Sequence, residues 1–159
     1  MKLTTTEGLD LVRRYGAPEH WLAVLVTQRP DGRPSTSVVN AGVLPHPVSG
    51  APTVAFVARG ATAKLANLRR EPTATLVFRS GWEWVAVRGS VELAGPDDEL
   101  PGLADLPALL RDVYHAAGGH HPDLDEYDRA MAADRRTAVL LTPESFATNP
   151  PGTEHEEPA

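Results

Sequence analysis

Residues 59–72 read RGATAKLANLRREP, and how this stretch folds decides how the chain on either side of it folds. The run TVAFVA before it has strand length and Gly60 ends that run, while Thr62 stands where a helix N-cap belongs. Ala61, Leu65 and Leu68 fall at the spacing of one helical face, and Pro72 biases Glu71 away from helical backbone. The pattern predicts a strand, a tight turn and a short helix. Arg59, Lys64, Arg69 and Arg70 crowd this segment with no acidic residue from 51 to 70, although the chain carries a net charge of −6. The first amides of such a helix point outward at the positive end of its dipole, beside a lysine, an arrangement suited to a phosphate or carboxylate. A solvated helix face would have the same composition, so the surroundings of the stretch matter.

Upstream, WLAVLVT at 21–27 is a continuous apolar run suited to a buried strand, and RPDGRP supplies the turn after it. The return strand is expected over 33–44, where Ser35, Ser37 and Asn40 mix with Val38, Val39 and Val43, so half of it faces something polar. PHPVSGAP at 45–52 reads as a hairpin loop. Downstream come TATLVF and WEWVAVRGSVEL; alternation puts Trp82, Trp84 and Ala86 on one side of the latter and Val85 and Val87 on the other. Gly89 marks a bend or bulge. Helices are expected over 4–15, 106–117 and 124–133, and TAVLLT within 135–142 is the sixth strand. Residues 1–148 read as one domain and 149–159 as a flexible acidic tail.

Six short strands joined mostly by hairpins predict a mainly β (α+β) antiparallel barrel with peripheral helices, not a doubly wound parallel sheet. A small barrel fills its interior with side chains, so a nucleotide-sized ligand is expected outside it, as between two copies of the chain. With no cysteine, disulfides, thiolate metal sites and a cysteine nucleophile are excluded. Nothing reads as a signal peptide or a membrane span, so a cytoplasmic protein is expected. The acidic balance argues against general nucleic-acid binding. His20, His46, His115, His120, His121 and His155 show no metal-ligand spacing, and no metal is expected. Nucleophile-elbow, GxGxxG and phosphate-loop sequences are all absent. Trp82 and Trp84 suit either a core or the cover of a flat heteroaromatic ring.

Four segments in order resemble a known family: DGRPSTSVVNAGVL at 31–44, TAKLANLRREPTATLVF at 62–78, GWEWVAVRGSVEL at 81–93 and DEYDRAMAADRRTAVLLTP at 125–143. The chain resembles, over about 21–150, the split β-barrel flavin and deazaflavin oxidoreductases of the pyridoxamine-phosphate-oxidase type, most closely the branch that uses coenzyme F420. The resemblance implies a six-stranded split barrel and a homodimer with coenzyme sites at the subunit interface. It implies that Lys64 holds the coenzyme's phosphate-bearing tail, with Thr62 and Ala63 at the same helix start. Thr62 takes the place of a serine or an arginine in relatives; if the arginine is the right comparison, Arg59 could substitute for it. Ser37, Val38, Val39 and Asn40 match the strand flanking the ring, Asn67 matches an NLRR-type helix as a contact or a structural residue, and Trp84 an aromatic against the ring or substrate pocket, often across the dimer.

The activity so implied is hydride transfer from reduced F420 to a small conjugated organic acceptor. The alternatives are the same fold using FMN, or a carrier that binds a flavin or F420 without turnover. The catalytic residue, in particular the proton donor, is unknown at this level.

Overall fold

The computed structural model describes residues 2–150. Helix α1 (Thr5–Gly16) opens the chain on a capping box, in which Thr4 Oγ1 accepts from Glu7 N and the Glu7 carboxylate accepts from Thr4 N, both at 3.1 Å. The strands are β1 (Leu22–Gln28), β2 (Pro34–Asn40), β3 (Gly42–Pro45), β4 (Pro52–Ala58), β5 (Thr73–Ser80), β6 (Glu83–Ala94) and β7 (Thr137–Thr148). Helix α2 (Ala63–Arg70) lies between β4 and β5, and α3 (Leu106–Ala116) and α4 (Leu124–Ala133) between β6 and β7. Among the described residues, no helix is long and apolar enough to cross a membrane.

All seven strands join one antiparallel sheet in the order β2-β1-β5-β6-β7-β4-β3. The count exceeds the expected six because the return strand divides at Ala41. Ala41 is fully buried and its N–H donates to Trp21 O at 2.9 Å, which ends the pairing with β1; the next residues pair with β4 instead. The two halves of one sequence run thus become the two edges of the sheet. No ladder joins them, so the sheet curls without closing as a six-stranded barrel.

β7 outruns the expected TAVLLT, continuing through Pro143 to Thr148. Opposite β6 the register slips between Arg88 and Gly89, so Pro143, which has no N–H to donate, sits at the irregularity where a ladder tolerates it. Gly89 is required there, since a Cβ on it would lie 1.8 Å from the Thr142 carbonyl oxygen.

Inside the curl, Leu25, Phe56, Leu76, Phe78, Val85, Val87, Val139 and Leu141 are buried, with Leu9, Val12 and Tyr15 from α1 and Leu65 and Leu68 from α2. Each such side chain stabilises the fold by about 1.5–3 kcal/mol relative to exposure. Ala61, expected on the same helical face as Leu65 and Leu68, instead precedes the helix in left-handed backbone (φ 59°) and is exposed. A second cluster sits on the outer face, where Leu109, Leu110 and Val113 of α3 cover Ala55, Ala138 and Leu140. β4 and β7 are therefore buried on both faces, which is why their sequences are continuous apolar runs rather than alternating ones. Val85 and Val87 point inward and Trp84 and Ala86 outward, as alternation predicts. Of the expected tail, Asn149 and Pro150 are described, and Asn149 Nδ2 donates to Trp82 O at 3.1 Å; residues 151–159 lie outside the described residues.

Replacing Gly89 with Ala is expected to destabilise the protein by about 3 kcal/mol, because the new methyl must displace the β7 backbone. Urea unfolding followed by circular dichroism measures it, and a midpoint equal to wild type would show that β6 and β7 can separate freely there.

Candidate anion-binding cavity

A cavity of about 380 Å³ opens where β2 and β4 end and α3 and α4 pack across them. Val38, Val39 and Asn40 come from β2, Val57 and Ala58 from β4, and Arg59, Thr62 and Lys64 from the turn into α2 and its start. Tyr114, Tyr127, Met131 and Arg136 supply most of the opposite wall.

The turn is held against the end of α4. Gly60 N–H donates to Asp134 O at 3.1 Å, and a Cβ on Gly60 would lie 2.8 Å from Arg135 Cβ, so only glycine passes. Thr62 occupies the N-cap position with extended backbone, as the sequence predicts, yet its hydroxyl donates to Arg59 O at 3.0 Å and caps nothing. The helix start therefore has no side-chain cap, and its positive end remains available beside Lys64.

Three cations face one nearby carboxylate here. Asp134 accepts from Arg59 at 3.0 Å through one oxygen and from Arg136 at 3.3 Å through the other. The Arg59 guanidinium, and then Arg136, hold the Asp134 carboxyl below its ordinary range against a smaller opposing effect of desolvation. Lys64 has no acidic partner among the described residues. Arg136 Nε is the one buried side-chain nitrogen or oxygen among them without a hydrogen-bond partner. Elsewhere the basic segment is already committed: Arg69 makes a two-point pair with Asp98 at 2.9 and 2.6 Å, and Arg70 donates to Gln28 O. The acidic run after β6 thus neutralises Arg69 and, through Asp97, Arg135, leaving the surplus positive charge at the cavity.

The aromatic wall is a tilted pair, Tyr114 and Tyr127, with centroids 4.8 Å apart. Tyr114 OH donates to His120 O at 3.0 Å and Tyr127 OH to Leu110 O at 3.2 Å. Burial, and secondarily Tyr114, pushes the Tyr127 hydroxyl up to about 12. Both hydroxyls are occupied, so these residues offer ring surface rather than acid chemistry.

Of the residues singled out in the sequence, Val38, Val39, Asn40, Arg59, Thr62 and Lys64 come together on this cavity. Ala63 begins α2 and is exposed beside it, and Ser37 lies one residue outside the lining, paired with Leu25. Asn67 faces elsewhere: it is buried, donates to Thr27 Oγ1 at 3.2 Å and accepts from Arg70, so it ties α2 to β1. Trp84 does not line the cavity of its own chain. Arg136, Tyr114, Tyr127 and Met131 were not singled out as site residues; the pair Arg135-Arg136 after an acidic helix was the available signal, but only packing shows which of the two turns inward.

The cavity lies outside a curled antiparallel sheet and is lined by cations, apolar strand ends and aromatic rings, a chemistry suited to a flat, negatively charged small molecule. Residues 14–148 match the pyridoxamine 5'-phosphate oxidase family, and the chain belongs to it. The fold is similar to that of a conserved hypothetical protein from Mycobacterium tuberculosis, with TM-score 0.68 and 18% identity over 99% of this chain and 92% of that one. It is also similar to a pyridoxamine 5'-phosphate oxidase-related, FMN binding protein from Nostoc punctiforme, with TM-score 0.58, 19% identity and coverage of 92% and 84%. An F420 reductase gives TM-score 0.58 and 19% identity, with 87% of this chain and 94% of that one covered.

Asp97, held down chiefly by its hydrogen bond from Arg135, and Asp134, held down by Arg59, give an acid dependence. Depressed carboxyls contribute stability that is complete above the unfolded value, about 3.9, and is lost as pH falls through the lower folded value. Melting temperature is expected to drop on acidification through that window, and less steeply in D97N/D134N. Parallel melting curves for the two proteins would show that these pairs contribute nothing.

Proposed function

We propose that the chain is an oxidoreductase that binds the deazaflavin coenzyme F420 and reduces a small conjugated organic acceptor. The observation that carries this reading is Lys64, unpaired among the described residues, beside a helix start with no side-chain cap and sharing one cavity with an apolar strand end and a tyrosine pair. Those residues fit such a group: the cations and the orphaned Arg136 Nε have unspent hydrogen-bonding capacity, and the tyrosine faces and Val38–Asn40 suit a flat ring. Lys64, Arg59 and the first amides of α2 would hold the phosphate-bearing tail. Val38, Val39 and Asn40 would position the ring, while Met131 and Tyr114 keep water from it. The bound coenzyme supplies the hydride. FMN is the second reading, favoured by the likeness to the FMN binding protein, and it would use the same anion grip.

Titration of the purified protein with F420 and with FMN separates the two. Lys64→Ala is expected to weaken the bound coenzyme at least tenfold, because a charged hydrogen bond of about 1.5–3 kcal/mol is removed, while the melting temperature changes little. Equal affinity in the variant would move the tail to another site.

The working form in this proposal is a homodimer. On the outer face of the sheet, Val38, Val24, Val77, Ala86 and Ala147 stand side by side in one row across five strands. Val38 is 62% and Val24 40% exposed, and Val38 also lines the cavity, so the row runs up to its mouth. A second copy on this face would bury the row, close the cavity and bring its own Trp84, two residues from Ala86 on the same face, near the ring. Light scattering is expected to give a dimer for wild type and a monomer with weakened coenzyme binding for Val24→Asp; a monomeric wild type that still binds would remove the partner from the site.

A further inference from the structure

A second cavity, of about 370 Å³, adjoins the first and shares Asn40, Tyr114 and Ala117 with it. Ala17, His20, Trp21, Gly118 and Gly119 complete its walls. His20 and Trp21 are consecutive non-glycine residues in left-handed backbone, with φ of 57° and 59°, a conformation that persists only where the surroundings enforce it. Three hydrogen bonds enforce it here: Trp21 N–H to Gly16 O at 2.8 Å, Ala41 N–H to Trp21 O at 2.9 Å and Asn40 Nδ2–H to His20 O at 2.8 Å. The last of these comes from a residue that lines both cavities. Trp21 lies close over Gly118, where a Cβ would be 2.9 Å from the indole.

The chamber so built has two aromatic walls, Trp21 and Tyr114, and small residues between them, which suits a flat conjugated molecule. Its polar groups are mostly occupied: the Tyr114 hydroxyl donates to His120 O, and the Asn40 amide holds His20 O. The His20 ring makes no hydrogen bond among the described residues and is exposed. Among the described residues it is the one imidazole lining either cavity. The titratable side chains on the elements around it are Glu19 in the turn before β1, Arg111, Asp112, Tyr114 and His115 on α3, and His120 and His121 in the loop that follows.

We propose that this second chamber receives the acceptor, an α,β-unsaturated carbonyl compound, and that His20 supplies the proton that completes its reduction. The proposal rests on the first cavity being the coenzyme's. In that reading the acceptor's β-carbon would gain a C–H bond as a C–H bond of the reduced coenzyme breaks, and the alkene electron pair would shift to give the acceptor's enolate. The imidazolium N–H of His20 then breaks and its proton bonds to the α-carbon. The acceptor gains two electrons and two hydrogens, the coenzyme is oxidised by two electrons, and His20 recovers its proton from solvent on its exposed side.

Two measurements test this. In the first, Trp82 and Trp84 are replaced by Phe, so that Trp21 is the remaining indole, and the protein is titrated with menadione without coenzyme. Saturable quenching is expected, and it should vanish when Ala17→Phe fills the chamber; quenching that persists in that variant overturns the proposal. The second compares wild type with His20→Asn, chosen because asparagine tolerates left-handed backbone. With reduced F420, reduction of 2-cyclohexenone is expected to fall about 100-fold in kcat. The fall in menadione reduction, which yields a weakly basic hydroquinone anion needing no proton in the hydride step, should be much smaller, with F420 affinity unchanged. Undiminished cyclohexenone turnover in His20→Asn, or a wild type that binds F420 and reduces neither compound, overturns the proposal. A wild type that fails to bind F420 overturns the coenzyme reading instead, and the fluorescence titration still decides whether the chamber takes a flat conjugated ligand.

Discussion

A single residue, Ala41, joins the two strands that stand at opposite ends of the sheet order, and that covalent constraint shapes the molecule. Laid flat, the edges of a seven-stranded sheet would lie roughly 29 Å apart, since neighbouring strands are spaced by about 4.8 Å. With one residue between them, Asn40 and Gly42 can be at most about 7 Å apart. The sheet must therefore curl until β2 and β3 meet. That curl creates an interior narrow enough for side chains to fill, and it requires the irregularity at Gly89, where β6 bends against β7. It also places the ends of β2 and β4 next to one another, and the cavity lies at that junction.

Charge follows from the same geometry. The chain is acidic, with a basic segment that sequence alone cannot distinguish from a solvated helix face. Folding sorts that segment: Arg69 and Arg70 are used to hold α2 against the connection after β6 and against β1. Arg59 is steadied by Asp134, 75 residues away in sequence, which also receives the nearby Arg136. Among the described residues, Lys64 alone of the cavity's cations is left without a fixed partner, and it stands where the helix start has no side-chain cap. An anion entering there meets donors that need not first break a bond.

How much was legible varied with the range of the interaction. Helices over 124–133 and near 106–117, the hairpin at RPDGRP and the bulge at Gly89 were readable because turn residues and apolar spacing act within a few positions. The strand break at Ala41 was not, because an alanine inside an apolar-polar run has no local signature; its buried site and its bond to Trp21 O are tertiary facts. Pro143 ended the predicted strand early for a related reason, since only pairing with β6 reveals the gap in the ladder that accommodates it. Lys64, Arg59, Thr62 and the Val38–Asn40 strand, singled out from charge, capping and family likeness, come to line one cavity. Asn67 belongs to the same short helix but points to Thr27, a distinction set by which face α2 buries.

By itself, the sequence determined the alternation of short strands and turns, the basic helix start after β4 and the absence of thiol chemistry, because each depends on residue type and near neighbours. The tertiary structure decided which strand formed the seam, which arginine of a pair faced the cavity, and that Tyr114 and Tyr127 came to stand opposite Lys64. Those outcomes depend on how α3 and α4 pack across a curled sheet. Packing is a sum over many distant apolar contacts, and no short stretch of the chain encodes it.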